Sequence, residues 1–452
     1  MLAPMNNSRL PRRDFLKTTA ATIAAPFVLP TSVWSAESSP NDRITMGFIG
    51  MGKQNRGLLS NFLGQPGVQV VAVCDVDTTR RENAKRVVEE RYGEQAPAGW
   101  KGCAAYNEFQ EITNRDDIDA VCIATPDHWH AIITLAALQS GKDVYCEKPL
   151  THNIHESVAV IRSTQKNKRV LQTGSMQRSM TEFRVACELV RNGVIGKIDH
   201  VDCSFGGPGR PCDLPQEEME PGLDWNRWLG PGPERPYHSA LSPRGVHGHY
   251  PAWRTYKEYG SGSVGDWGAH HLDIAQWGLG MDESGPVQVI PAQDWQSAEQ
   301  GAVLLYDNGI KVHHGGDIGV RFFGSDGEVA VDRGRFELKL GGKTVTRFLS
   351  RADGGSLESK LAMVQREYLN SPKVSLYRSQ NHIWDFLKCV RDRKQPITDA
   401  EVGGRTAICC HLVNITYYHG EAVDWNPKKM EFIHGTGKPE WLTRDYRDHW
   451  DV

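Results

Sequence analysis

The sequence predicts an α/β protein, with a parallel, doubly wound sheet near the N-terminus and a second, strand-rich α/β region after it. Two observations predict this. Apolar runs of strand length alternate with helix-length segments between Ile44 and Cys146, the pattern of successive βαβ units. From Val287 to Leu340 the pattern becomes strand-like alternation, broken by turn signals such as Asp307-Asn308-Gly309 and Ser325-Asp326-Gly327. A chain of 452 residues can bury two substantial cores. Its 39% hydrophobic and 24% charged residues suit a soluble globular protein, and a net charge of -3 gives no footprint for nucleic acid or an anionic membrane.

The first 35 residues are expected to be a targeting segment. Arg12-Arg13-Asp14-Phe15-Leu16-Lys17 is a twin-arginine pattern, with Pro11 where that pattern usually has Ser or Thr. An apolar, Ala-rich run to about Pro30 follows, then small residues at Ser35 and Ala36. The run is too short to span a bilayer. The order basic, apolar, small marks a signal that is removed, and the expected destination is periplasmic or extracytoplasmic, with no anchor left. The twin-arginine route carries folded proteins.

The first strand, Ile44 to Ile49, runs into Gly50-Met51-Gly52-Lys53-Gln54-Asn55-Arg56-Gly57, and a helix continues from Leu58 to Leu63. Gly50 permits a tight turn, Gly52 lets backbone approach a pyrophosphate, and a helix N-terminus offers unpaired N–H groups to the anion. The third glycine of Gly-x-Gly-x-x-Gly is replaced by Asn55, and Gly57 comes two residues late. The second strand, Val68 to Cys74, ends in Asp75, where a carboxylate would accept from ribose hydroxyls; a turn residue would read the same. Asp75 would repel a 2'-phosphate, which favours NAD, and nearby Arg80 and Arg81 keep NADP open. A helix from Thr79 to Tyr92 follows, then a strand from Ala120 to Ala124 before Thr125-Pro126-Asp127-His128-Trp129-His130. A helix from Ala131 to Ser140 and a strand from Asp143 to Cys146 lead to Glu147-Lys148-Pro149. These polar clusters all sit at carboxyl ends of strands, where such sheets bind ligands.

Asp266-Trp267-Gly268-Ala269-His270-His271-Leu272-Asp273 opens an apolar run that Gly280 ends. On a helix, Asp266, His270 and Asp273 share one face and His271 points about 100° away. An imidazole between carboxylates is a candidate proton acceptor; an N-cap aspartate with a packing histidine satisfies the same pattern, and a metal reading would add His247 and His249. No metal is expected. The ten cysteines include no Cys-x-x-Cys pair, which argues against a structural zinc or a disulfide framework.

Taken in order, Gly50 to Gly57, Asp75, the Thr-Pro-Asp-His-Trp-His run, Glu147-Lys148-Pro149 and Asp266-x-x-x-His270 resemble the Gfo/Idh/MocA oxidoreductases. The likeness runs from about Arg43 to about Val423. It implies an N-terminal Rossmann domain, over residues 43–165, and a C-terminal α/β domain, over 166–435, with a large open, mostly antiparallel sheet; residues 436–452 form a tail. It implies catalysis by Lys148, Asp266 and His270. Lys148 touches both cofactor and substrate hydroxyl, and His270 is the acid/base. The cofactor contacts are Gly50, Met51, Gly52, Asn55, Arg56 and Asp75 from the first motif and its acidic partner. Thr125, Pro126, His128, His130, Glu147 and Lys148 complete them. Gln177, Arg254, Trp267 and His271 are the expected substrate contacts.

Residues 205–263 are a long insertion rich in Gly, Pro and aromatics, expected to be a lid over the sugar pocket, with an oligomer contact as the alternative. Thr398-Asp399-Ala400-Glu401 reads as a capping box opening a helix to about Tyr418. The functional expectation is an NAD(P)-dependent oxidoreductase acting on a secondary hydroxyl of a sugar, glycoside or polyol, with a tightly bound, recycled cofactor, in a homo-oligomer. The alternatives are an NAD-dependent glycoside-cleaving enzyme and a non-catalytic sugar- or cofactor-binding protein.

Overall fold

Strands β1 (Ile44–Ile49), β2 (Val68–Cys74), β3 (Ala104–Tyr106), β4 (Ala120–Ile123), β5 (Asp143–Cys146) and β6 (Leu171–Thr173) form one sheet in the order β3-β2-β1-β4-β5-β6. All its pairings are parallel. The computed structural model describes residues 43–93, 102–447 and 450, so the twin-arginine segment lies outside the described residues. Strand order reverses between β1 and β4, and the crevice at their carboxyl ends is the natural ligand site. Helices α1 (Lys53–Leu63), α2 (Thr78–Gly93), α3 (Gln110–Thr113), α4 (Asp127–Gln139) and α5 (Ile154–Asn167) make the crossovers. Two helices start earlier than the apolar pattern indicates. The glycine loop is only Gly50–Gly52, with α1 beginning at Lys53, and α4 begins at Asp127 with Pro126 as its N-cap.

This first unit extends beyond residue 165, because β6 is its edge strand. The chain also returns to it. After α6 (Thr181–Arg191), α7 (Trp225–Leu229), α8 (Gly262–Asp266), α9 (Gly268–Leu279) and α10 (Leu357–Tyr368), helix α11 (His382–Asp392) buries Phe386 against Phe62 and Tyr145. Helix α12 (Ala400–His419) is capped by Asp399, which accepts from the Val402 N–H; the Thr398 hydroxyl instead donates to the Thr173 carbonyl.

The second sheet has ten strands: β7 (Ile198–Cys203), β8 (Gln288–Ile290), β9 (Val303–Leu305), β10 (Lys311–His314), β11 (Val320–Gly324), β12 (Gly327–Asp332), β13 (Arg335–Leu340), β14 (Lys343–Phe348), β15 (Val423–Asn426) and β16 (Glu431–Phe432). Their order is β14-β13-β12-β11-β7-β10-β9-β8-β15-β16, antiparallel except for β7 beside β10. Alternation buries one face: Val201, Cys203, Val312, Phe322 and Val331 pack with Leu272 and Ile274 of α9 and Ile408 and Leu412 of α12. The other face carries the polar partners of that alternation. No described helix is long and apolar enough to cross a membrane, and the ten cysteines are free thiols.

Candidate functional site

Two connected clefts lie at the carboxyl ends of β1, β2, β4 and β5. The first is lined by Gly50, Gly52, Asp75, Thr125 and Pro126, together with Arg80 and residues of the insertion. Gly50 has φ +80°, and a Cβ there would meet the Thr125 backbone nitrogen at 2.9 Å. Only glycine lets β1 and β4 come this close while the chain turns. At Gly52 a Cβ would meet nothing within 4 Å, and no side chain caps α1. The first turn of α1 therefore presents free N–H groups beside an open approach. These residues fit the pyrophosphate of a dinucleotide.

Asn55 resolves the departure from the glycine pattern. It is fully buried, its amide donates to the Ile49 carbonyl at 3.0 Å, and its Oδ1 accepts from the Cys122 thiol at 3.3 Å. The close helix-to-strand contact that a third glycine provides is here replaced by a side-chain clamp. Asp75 lies in the cleft and organises the loop: its carboxylate accepts from the N–H groups of Met51 at 2.6 Å and Asp77 at 2.8 Å. Burial pushes its pKa up against the pull of Arg80.

The insertion is bonded across this cleft rather than restricted to the sugar pocket. Arg80 donates to the Gly245 carbonyl at 3.2 Å, the Ser242 hydroxyl at 3.2 Å and the Pro243 carbonyl. Arg56 donates to the His247 carbonyl, and the Tyr250 hydroxyl donates to the Gln54 side chain at 3.0 Å. The insertion carries its own small core of Leu223, Trp228, Leu229, Tyr237, Leu241, Trp253, Tyr256 and Tyr259. The chain's last segment straps it down. Arg447 donates to the Gly230 carbonyl at 3.0 Å, and the Trp450 ring lies 4.9 Å from that of Trp129.

The second cleft shares Gln54, Thr125, Tyr250, Trp253 and Arg254 with the first and adds Asp127, His130, Glu147, Lys148, Asp266, Trp267, His270 and Arg333. The Lys148 ammonium donates to the Asp266 carbonyl at 2.9 Å and to its carboxylate. Burial works to raise the Asp266 pKa, but Lys148, Arg254 and Arg333 hold it below the usual range. His270 is buried, and its Nδ1 has no partner among the described residues. Burial and the charges of Lys148 and Arg333 hold its pKa well below 6.5, so the imidazole is neutral and can accept a proton.

The expected helical face of Asp266, His270 and Asp273 does not form. The helix breaks at Trp267 between α8 and α9. Asp266 turns to Lys148, and Asp273 forms a buried pair with Arg178 at 2.8 Å. Among the described residues no carboxylate therefore sets the His270 tautomer. Three further expectations shift, and His247, named only for the alternative metal reading, lies apart from His270. Gln177 does not line the pocket; its amide, correctly oriented, donates to the His270 carbonyl at 3.2 Å and accepts from Arg333 at 3.2 Å, so it positions both. His271 lies in a separate cleft on the other side of α9, with its Nδ1 2.7 Å from the Ser204 carbonyl. His128 lies outside both clefts, its nitrogens 3.2 Å and 3.1 Å from the Tyr259 and Trp228 carbonyls, where it anchors the insertion. His247 turns its Nδ1 to the His249 carbonyl at 2.8 Å and lines the first cleft, apart from His270.

Met51, Asn55 and Arg56, expected to contact the cofactor, line neither cleft, whereas His130, Glu147, Arg254 and Trp267 line the second or both. His130 lies between the Pro149 carbonyl, 2.7 Å from its Nδ1, and the Thr125 carbonyl, 3.0 Å from its Nε2, and as a neutral imidazole donates to one of them. Glu147 packs under Gly174, where a Cβ would meet its carboxyl at 2.7 Å, and accepts from Gln54 at 2.9 Å. Arg254 lies over the rings of Trp253 at 4.2 Å and Tyr250 at 4.8 Å, with one terminal nitrogen unpartnered among the described residues. Trp267 is 42% exposed, an apolar plate beside His270.

Asp127 was not expected to act. It lines the second cleft, and burial pushes its pKa up to about 8 against the pull of Arg254 and Lys148. It is thus a carboxylic acid at neutral pH, able to donate a proton.

Residues 44–175 match the oxidoreductase family with an NAD-binding Rossmann fold, and residues 194–329 match that family's C-terminal α/β domain. A glycosyl hydrolase family 109 protein of Shewanella pealeana is 28% identical over 216 residues, covering 44% of this chain and 46% of the relative. An alpha-N-acetylgalactosaminidase of Shewanella oneidensis is 28% identical over 214 residues, covering 43% of this chain and 45% of the relative. The chain thus spans just under half the length of these curated relatives. The crystal structure of an aldose-aldose oxidoreductase from Caulobacter crescentus, complexed with glycerol, superposes with a TM-score of 0.54 at 19% identity, covering 84% of this chain and 99% of that one. With both family domains matched in order and the fold shared, the chain belongs to the Gfo/Idh/MocA oxidoreductase family.

Proposed function

We propose that this chain is an exported enzyme that oxidises a secondary hydroxyl of a sugar, glycoside or polyol, using an NAD retained in its cleft from one turnover to the next. The observation that carries this reading is the insertion hydrogen-bonded across the nucleotide cleft. Release of a dinucleotide requires several of these bonds to break together, each worth about 0.5–1.5 kcal/mol. The twin-arginine pattern gives retention a purpose, since a protein exported folded can carry a cofactor loaded inside the cell. The Asp75 carboxylate in the cleft favours NAD over NADP, and Arg80 and Arg81 are committed to protein oxygens.

A bound nicotinamide would take the carbinol hydrogen as hydride and, being retained, would be restored by passing that hydride to the carbonyl of a second sugar. Neutral His270 accepts the hydroxyl proton. Lys148 donates to the same oxygen as negative charge grows there, and Asp266 keeps the ammonium aimed. Trp267 offers a plate for the apolar face of a sugar ring.

Asp127 and the two glycosidase-named relatives favour a second reading, redox-neutral glycoside cleavage. Oxidation makes the neighbouring C–H acidic; a base removes that proton, the glycosidic oxygen leaves protonated by Asp127, and water adds across the resulting C=C bond. The substrate oxidised at the start is reduced at the end. A dehydrogenase that only oxidises has no leaving group and needs no such acid.

To test retention, the protein is purified without added NAD, heat-denatured, and the supernatant assayed for nicotinamide. Stoichiometric release is expected. An empty supernatant from active protein rejects retention.

A further inference from the structure

We propose that His200, Asp202 and His313 bind a divalent transition-metal ion of the Zn2+ class on the open face of the second sheet, remote from the catalytic cleft. Strand periodicity places His200 and Asp202 on one face of β7, and the parallel register sets His313 of β10 directly beside Asp202. Adjacent residues Val201, Cys203 and Val312 point the opposite way, into the core under α9. The metal face and the His270 face are therefore opposite sides of the same strands.

Potential ligand atoms of the three side chains lie within 4.8 Å of one another. The His313 Nδ1 is 3.1 Å from the Asp202 Oδ1, and the His200 Nε2 is 4.0 Å from it. Zinc bonds of about 2.0–2.2 Å set neighbouring ligand atoms roughly 3.3–3.6 Å apart, which small side-chain rotations reach. The His200 ring is already oriented. Its Nδ1 lies 2.7 Å from the Asp199 carboxylate, which aims Nε2 at Asp202, and the ring stacks on Phe323 at 4.2 Å. A carboxylate behind a ligating imidazole is the usual outer support of a metal-bound histidine.

Charge supports the assignment. Among the described residues the ion-pair partners of Asp202 are only these two histidines. Arg321, opposite Asp202 on β11, is committed to Asp317, Glu328 and Glu337. Two imidazoles and one carboxylate favour Zn2+ over the oxygen-seeking Mg2+ and Ca2+. Partial exposure of the three side chains, 28%, 25% and 38%, provides entry and leaves a position for water. The ion would clip β7 to β10, the parallel pair of the sheet.

The test uses untagged full-length protein, stripped with chelator and titrated with Zn2+ by calorimetry, with Co2+ absorption reporting coordination. Saturable one-to-one binding is expected. Excess Zn2+ should raise Tm by several degrees, since a ligand bound only by the folded state stabilises it. His313→Ala and Asp202→Asn should each weaken binding by about tenfold or more, while His249→Ala leaves it intact. Circular dichroism of the metal-free variants establishes that they fold. Absence of saturable Zn2+ binding to the parent, or binding unchanged in both H313A and D202N, would overturn the proposal.

Discussion

The two clefts are built from similar residue types and differ in what those residues have left to do. In the nucleotide cleft the charged groups are committed: Asp75 to two backbone N–H groups, Arg80 and Arg56 to carbonyls of the insertion. In the catalytic cleft Lys148 and Asp266 pair with each other, but other groups are left open. His270 and Arg254 carry buried nitrogens without partners among the described residues, and Asp127 is held as an acid with a pKa of about 8. Satisfied polar groups hold a shape, and unsatisfied ones with displaced proton affinities are available to a substrate. On the proposed function, the first cleft retains the cofactor and the second carries the chemistry.

The largest expected effects fall on the reacting side. Lys148→Ala and His270→Ala should each lower turnover by at least about a hundredfold while bound nicotinamide stays stoichiometric. Loss of cofactor in parallel with activity would erase the division between the clefts. The pH profile sharpens it. His270 must be neutral, so activity falls only as pH drops through its depressed pKa, well below 6.5. Asp127 must be protonated to act as an acid, so glycoside cleavage falls as pH rises past about 8. Asp127→Asn should remove that alkaline limb from whatever cleavage remains. If the limb persists, Asp127 is not the proton donor.

On the retaining side the effects should be smaller and appear as release. Arg80→Ala removes three hydrogen bonds to the insertion, and the nicotinamide off-rate should rise by about tenfold to a hundredfold with the chemical step unchanged. An unaltered off-rate would show that the insertion does not govern release. Asp75→Ala should relax NAD preference over NADP only a few-fold and also weaken NAD, because the same carboxylate holds the Met51 loop. The smallest effect on function belongs to Asn55→Ala. It should cost about 1–3 kcal/mol of stability, seen in the melting midpoint, and leave kcat alone.

Local sequence made one half of this contrast legible. Gly50, Gly52, Asp75 and Lys148 sit at strand ends, and strand ends follow from apolar runs alone. The unusual Asn55 was visible as a departure, but its clamp depends on Ile49 and Cys122, the latter 67 residues away. Long-range partners hid the rest. Asp127 stood inside a motif, yet its raised pKa comes from burial in the folded cleft, against the pull of Arg254 on the insertion. Helical spacing put Asp273 beside His270, whereas Arg178, 95 residues distant, draws it into a buried pair. The resemblance put Gln177 and His271 in the pocket, and packing turns both elsewhere. In the His200–Asp202–His313 cluster, Asp202 and His313 lie 111 positions apart and meet only through the β7–β10 register.

The central claim, that the cofactor stays in place and is restored within each cycle, is tested most directly by turnover without free nucleotide. Mature protein purified without NAD is given a panel of glycosides and free sugars, and product and free NADH are followed together. Sustained conversion with many turnovers per chain and no free NADH is the predicted result. Activity that appears only when NAD is added, with NADH accumulating one-for-one with product, would contradict it and make this chain a dehydrogenase that exchanges its cofactor freely.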